Sequence, residues 1–117
     1  MAKVLALIDD LFFQAKLLET AKQLGVDVST CQTPDALDQE IAKAAPNLVL
    51  IDLNARANPL DAVSRVRARA IPLIGFLSHV EVDLAERARQ AGCREVLPRS
   101  KFTANLATIL RRVKSES

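Results

Sequence analysis

Short aliphatic runs alternate with stretches whose apolar residues recur every three or four positions, and the alternation repeats five times along the chain. Strands are predicted over residues 3–8, 26–30, 47–52 and 71–77, with a short one over 95–97. The first, third and fourth read as near-continuous aliphatic runs, as expected of strands covered on both faces. The first helix is predicted over 11–24, where Phe13, Leu17, Ala21 and Leu24 share one stripe and Gly25 follows as a C-cap. Thr33-Pro34 signals an N-cap with proline in the first turn of a second helix carrying Leu37, Ile41 and Ala44, which Pro46 ends. Asn58-Pro59 repeats that signal for a shorter third helix through Val63 and Val66. A fourth helix over 82–91 stops at Gly92, and a fifth over 103–114 carries Leu106, Ile109, Leu110 and Val113 as a core stripe. Helices between successive strands force parallel crossovers, so the expected fold is α/β: a single doubly wound five-stranded parallel sheet with five helices on its two faces.

The 117 residues suit one domain spanning 1–117. With 50% hydrophobic and 26% charged residues, disorder and low complexity are excluded as the main state. The longest apolar run, 71–77, is far short of the roughly 20 residues a membrane span needs, and no secretory signal precedes it. A cytoplasmic protein without membrane contact is expected. A net charge of +2, from scattered basic residues, implies no nucleic-acid groove. Cys31 and Cys93 lack metal-site spacing and read as reduced structural thiols. Arg56, Arg65, Arg67, Arg69, Arg87, Arg89 and Arg94 read as solubilising surface charges.

In such sheets chemistry gathers beyond the carboxyl ends of the strands. There the chain carries Asp9-Asp10 after the first strand, Asp52 at the end of the third, Ser78 after the fourth and Pro98-Arg99-Ser100-Lys101 after the fifth. Three carboxylates at one edge repel unless a cation sits among them, and oxygen-only donors suit Mg²⁺. The expected chemistry is phosphoryl transfer, with Asp52 as nucleophile and Ser78 plus a strand-five cation holding the transferred oxygens. Taken singly, Asp9 or Asp10 also reads as a helix-start carboxylate. Ser78-His79 does not make a hydrolase triad, since no second histidine exists to serve as base.

The acidic pair after VLALI, NLVLIDL ending near Asp52, PLIGFLS with Ser78, and AGCREVLPRSKF together resemble the receiver domains of two-component response regulators, over almost the whole chain. The resemblance implies the flavodoxin-like receiver topology and a signalling role rather than an enzyme. It implies Asp52 as phosphoacceptor, Ser78 as switch hydroxyl, and Mg²⁺ held by Asp9, Asp10, Asp52 and the backbone carbonyl of Asn54. It also implies a sensor histidine kinase or phosphotransfer protein as donor, a downstream protein partner, and a homodimer through the face of helix four, strand five and helix five. The chain departs from the pattern at several points. Arg99 stands where the family has lysine, and its planar fork is not equivalent to an ammonium. NARANPLDAV lacks the usual Met-Pro, and Ser78 follows Asp52 by only 78 − 52 = 26 residues. Val96 replaces the strand-five aromatic. The alternative implied by these departures is a degenerate receiver that works as a phosphorylation-independent interaction module, and Mg²⁺ affinity separates the two.

Overall fold

A computed structural model describes residues 3–78 and 81–116. The chain runs β1 (Lys3–Leu7), α1 (Leu11–Leu24), β2 (Asp27–Cys31), α2 (Pro34–Lys43), β3 (Leu48–Asp52), α3 (Pro59–Ala68), β4 (Leu73–Leu77), α4 (Val82–Ala91), β5 (Glu95–Pro98), α5 (Arg99–Ala104) and α6 (Leu106–Glu116). The five strands form one parallel sheet in the order β2-β1-β3-β4-β5. The doubly wound sheet expected from the alternation is present. Among the described residues no helix is long and apolar enough to cross a membrane.

Each face of the sheet buries its own cluster. Residues Val4, Ala6, Leu50, Ile74 and Phe76 point to one side, where they meet Phe13, Leu17 and Ala21 of α1, Phe102 of α5 and Leu106, Ile109, Leu110 and Val113 of α6. On the other side Leu5, Leu7, Val49, Ile51 and Leu77 meet Leu37 and Ile41 of α2, Ala62, Val63 and Val66 of α3 and Ala88 of α4. The alternation of β1 and β3 residues between clusters is the two-residue period of a strand covered on both faces.

Two expectations at the helices are corrected. The fifth helix is two helices, beginning at Arg99 rather than Thr103 and breaking at Asn105. There Asn105 turns both its backbone N–H and its side-chain Nδ2 onto the Lys101 carbonyl, at 3.1 and 2.9 Å, so the side chain competes for a helical acceptor. Asn58 caps α3 in position only: it sits at φ 48° and its side chain makes no capping bond, whereas the Thr33 hydroxyl accepts from Ala36 N–H as expected.

Arg65 of α3 and Arg69 just after it do more than solubilise. Arg65 reaches Asp35 and Asp38 of α2 at 2.9 and 2.7 Å and Asp61 of its own helix at 2.9 Å, and Arg69 also binds Asp38. This network ties α3 to α2. Cys31 and Cys93 are free and buried; burial pushes the Cys31 thiol up to about 11 and raises that of Cys93, which makes both poor nucleophiles at neutral pH.

Gly75, in the middle of β4, marks a close approach of layers. A Cβ there would lie 2.9 Å from the Cys93 sulfur and 3.1 Å from Leu53 Cδ1. Gly75→Ala is expected to cost about 1–3 kcal/mol by overpacking, read as a lower urea midpoint. Cys93→Ala in the same chain should recover part of that loss, whereas no recovery would show that the clash lies elsewhere.

Candidate functional site

The register of the sheet decides which residues meet. Asp52, the last residue of β3, lies beside Phe76 of β4, and Leu77 lies beside Pro98 of β5, so the next residues, Ser78 and Arg99, leave the same edge. Asp9 and Asp10 leave that edge from β1, across the point where the strand order reverses between β1 and β3. The sequence-predicted residues are thus gathered at one end of the sheet.

Their contacts differ from a carboxylate cage. Asp10 is the N-cap of α1, its Oδ1 accepting from Phe12 and Phe13 N–H at 3.0 and 3.2 Å. Its Oδ2 accepts from Arg99 Nη1 at 2.9 Å. Both readings of Asp10, cap and pocket residue, are therefore realised at once. Asp52 is 2% exposed; its Oδ1 accepts from Asn54 N–H at 2.9 Å and its Oδ2 meets Arg99 Nη2 at 3.4 Å. Asp9 turns aside, its Oδ2 accepting from Arg56 N–H at 3.0 Å with Arg56 Nε at 3.7 Å.

Arg99 is the centre of the site because α5 starts immediately after β5, so the side chain projects from a first turn set against the strand ends. Its guanidinium carbon lies 5.0 Å from the Phe13 ring centroid and 6.0 Å from that of Phe76, which are cation–π distances. Phe13, Phe76 and Phe102 pack together beneath it, Phe76 stacking on Phe102 at 4.4 Å and Phe13 meeting both edge-on. Among the described residues Arg99 Nε is the one buried side-chain nitrogen or oxygen without a hydrogen-bond partner.

The electrostatics follow from these positions. The Phe13 amide, together with Arg99 and the Phe12 amide, holds the Asp10 carboxyl below its ordinary value despite some desolvation. Burial raises the Asp52 carboxyl above its ordinary value, and Asp9 and Asp10 push it the same way, against the Asn54 amide and Arg99. One carboxylate of the pair is stabilised as an anion, and the other bears the cost of burial.

The residues as arranged do not fit the Mg²⁺ expected from the sequence. Among the described residues no three of His, Cys, Asp and Glu come together closely enough to hold a metal ion. Both oxygens of Asp10 and both of Asp52 already have donors, and the Arg99 fork spans the gap between them. A guanidinium supplies the positive charge that three neighbouring acids require.

Around this centre, Asn54 lies exposed in the loop after β3, where its side-chain oxygen accepts from Ser78 N–H and its Nδ2 donates to Glu81 Oε1 at 3.3 Å. Ser78 is exposed, Lys101 is exposed on α5, and Val96 is half-buried against the α2–α4 side. His79 lies outside the described residues. Sequence reasoning missed Arg56 as the partner of Asp9, the Asn54 bridge and the phenyl floor under Arg99. The first two are contacts between loops with no periodicity to betray them; Phe13 was visible only as a core position.

No family model matches the chain, and no curated protein matches it significantly. Solved structures do. CheY4 of Vibrio cholerae, a chemotaxis response regulator, superposes with a TM-score of 0.81 at 21% identity, over 97% of this chain and 98% of that one. The signal receiver domain of a LuxO repressor protein from Vibrio parahaemolyticus gives 0.75 at 24% identity, over 98% and 94%. NtrX from Brucella abortus gives 0.81 at 18% identity over 97% of this chain, which spans only 27% of the NtrX chain. With the strand order and the strand-end residues in place, the chain has the fold of response-regulator receiver domains.

Proposed function

We propose that this receiver-type domain is a signalling module that acts through protein contacts in one standing state, its strand-end pocket closed by Arg99 instead of being switched by a phosphoryl group on Asp52. It is not an enzyme in this reading. The observation that carries it is the fork of Arg99 on Asp10 and Asp52, at 2.9 and 3.4 Å. A phosphodonor must reach an oxygen of Asp52, and the residue is buried with one oxygen bound by an amide and the other facing the guanidinium. Arginine keeps its charge, is weakly hydrated and stacks on aromatic rings, so it is held more firmly in such a place than a lysine ammonium on a flexible stem. The absence of any Tyr or Trp, with Val96 on β5, removes the aromatic relay implied by the sequence resemblance.

A second reading keeps Asp52 as phosphoacceptor for a sensor kinase or phosphotransfer protein. It is favoured by the position of Asp52 at the end of β3 with Asp9, Asp10 and Asn54 on the adjoining loops. Here an Asp52 oxygen forms the new P–O bond as the donor's bond to phosphorus breaks and its electron pair leaves with the donor. Intact-mass spectrometry after incubation with acetyl phosphate and Mg²⁺ separates the readings. The standing-state module is expected to keep its unmodified mass. Gain of one phosphoryl group, lost in Asp52→Ala, would establish the second reading instead.

A further inference from the structure

At the end of the sheet away from Asp52, the segments leading into β4 and β5 enclose a groove of about 560 Å³, within the size range of small-ligand sites. Arg67 and Arg94 line it together with Ile71, Leu73, Gly92 and Glu95. We propose that this groove binds a compact organic anion, a phosphate or carboxylate carried on an apolar or aromatic body, with the two arginines holding the anionic group and the aliphatic floor holding the body. The site is independent of how the acidic pocket works, and it gives the domain a ligand input at its opposite edge.

Four observations converge on that chemistry. The side chains of Arg67 and Arg94, like those of Arg87, Arg111 and Arg112, have no hydrogen-bond or ion-pair partner among the described residues, while Arg56, Arg65, Arg69, Arg89 and Arg99 each bind a carboxylate. Nor do they serve as helix caps. The closing carbonyls of α3 and α4 are taken by backbone amides: Arg69 N–H on Val66, Ala70 N–H on Arg67, Gly92 N–H on Arg89 and Cys93 N–H on Ala88. The stem of Arg67 packs close on Gly92, where a Cβ would lie 2.6 Å from Arg67 Cγ, and Gly92 sits at φ 121°, a backbone that side chains rarely adopt. Finally, Arg67, Arg94 and Glu95 line the groove together with partly exposed Ile71 and Leu73, so two cationic residues stand against one carboxylate there. The balance favours an anion, and the floor favours an apolar body over a bare ion.

The test is an NMR titration of the ¹⁵N-labelled full chain with phenyl phosphate, inorganic phosphate and phenol in separate arms. Phenyl phosphate is expected to give saturable amide shifts confined to residues 67–73 and 92–95, and to bind at least about tenfold more tightly than either fragment. The double variant Arg67→Ala/Arg94→Ala should weaken it by about the same factor. Both side chains are exposed, so the remaining spectrum should stay in place; Arg94→Glu alone is the second variant if it does not. Absence of saturation, binding no better than inorganic phosphate, or affinity unchanged in both variants overturns the proposal.

Discussion

Arg99→Met is expected to lower the stability of the fold by about 3 kcal/mol at neutral pH, because it leaves Asp52 buried without its cation. Arg99 contacts two carboxylates whose pH behaviour differs, and most of the loss comes from Asp52. The Asp52 carboxyl already lies above 3.8 in the folded protein, chiefly through burial, so its ionisation costs stability as pH rises from 3.8 through the folded value. Removing Arg99 takes away one of the influences that lower it and widens that window upward. Asp10 behaves in the opposite sense: its carboxyl is held below 3.8, chiefly by the Phe13 amide, so its stabilisation is present above 3.8 and lost only as pH falls through the lowered value. Acidification from pH 7.5 to 5 should therefore shrink the deficit of the variant through Asp52 alone. Urea denaturation of both chains at the two pH values measures this, and Asp52→Asn placed in the Arg99→Met chain should recover most of the loss. A deficit that is equal at both pH values and indifferent to Asp52→Asn would show that Arg99 acts through packing and not through charge.

The second large effect lies directly beneath. Phe76 is 1% exposed, stacks on Phe102 at 4.4 Å and meets Phe13 edge-on at 5.2 Å. Phe76→Ala empties the centre of that trio and is expected to cost about 3–5 kcal/mol. It also removes one of the rings under the guanidinium, so the Arg99 Nε–H signal should broaden and exchange faster in NMR spectra. Phe76→Leu, which keeps most of the volume, should cost less in stability yet loosen Arg99 to a similar degree. If Phe76→Leu left the Arg99 signal untouched, the rings would be filling space without holding the cation.

How much of this was legible in the sequence differs by level. The parallel, doubly wound sheet follows from alternation: runs such as LVLID have no polar side until Asp52, so they must be covered twice and joined by helices. The positions of Asp9, Asp10, Asp52, Ser78 and Arg99 at one edge follow from that topology, because each sits within a residue or two of a strand end. What the side chains do there was not legible. Asp9 and Asp10 are adjacent, yet one turns to Arg56 and the other to the α1 amides and Arg99. That split depends on the path of the loop after β3, which local propensity does not determine. The break at Asn105 was hidden for a related reason. FTANLATIL reads as one amphipathic helix, and the break falls at Asn105, whose backbone and side-chain nitrogens both donate to the Lys101 carbonyl. Arg99 was expected as a cation at this edge; what the sequence did not show is that α5 starts at Arg99 rather than Thr103, so that its guanidinium bridges Asp10 and Asp52 from a first helical turn.

In the proposed standing state Arg99 closes the strand-end pocket. NMR titration with Mg²⁺, following the amides of Asp10, Asp52 and Asn54, tests that closure most directly, with Arg99→Lys and Asp52→Asn as companions. The native chain is expected to show no saturable response at millimolar Mg²⁺, and Arg99→Lys, where a flexible ammonium replaces the fork, a saturable one. A saturable response of the native chain that disappears in Asp52→Asn would contradict the closure, and would return the site to metal-assisted phosphoryl acceptance.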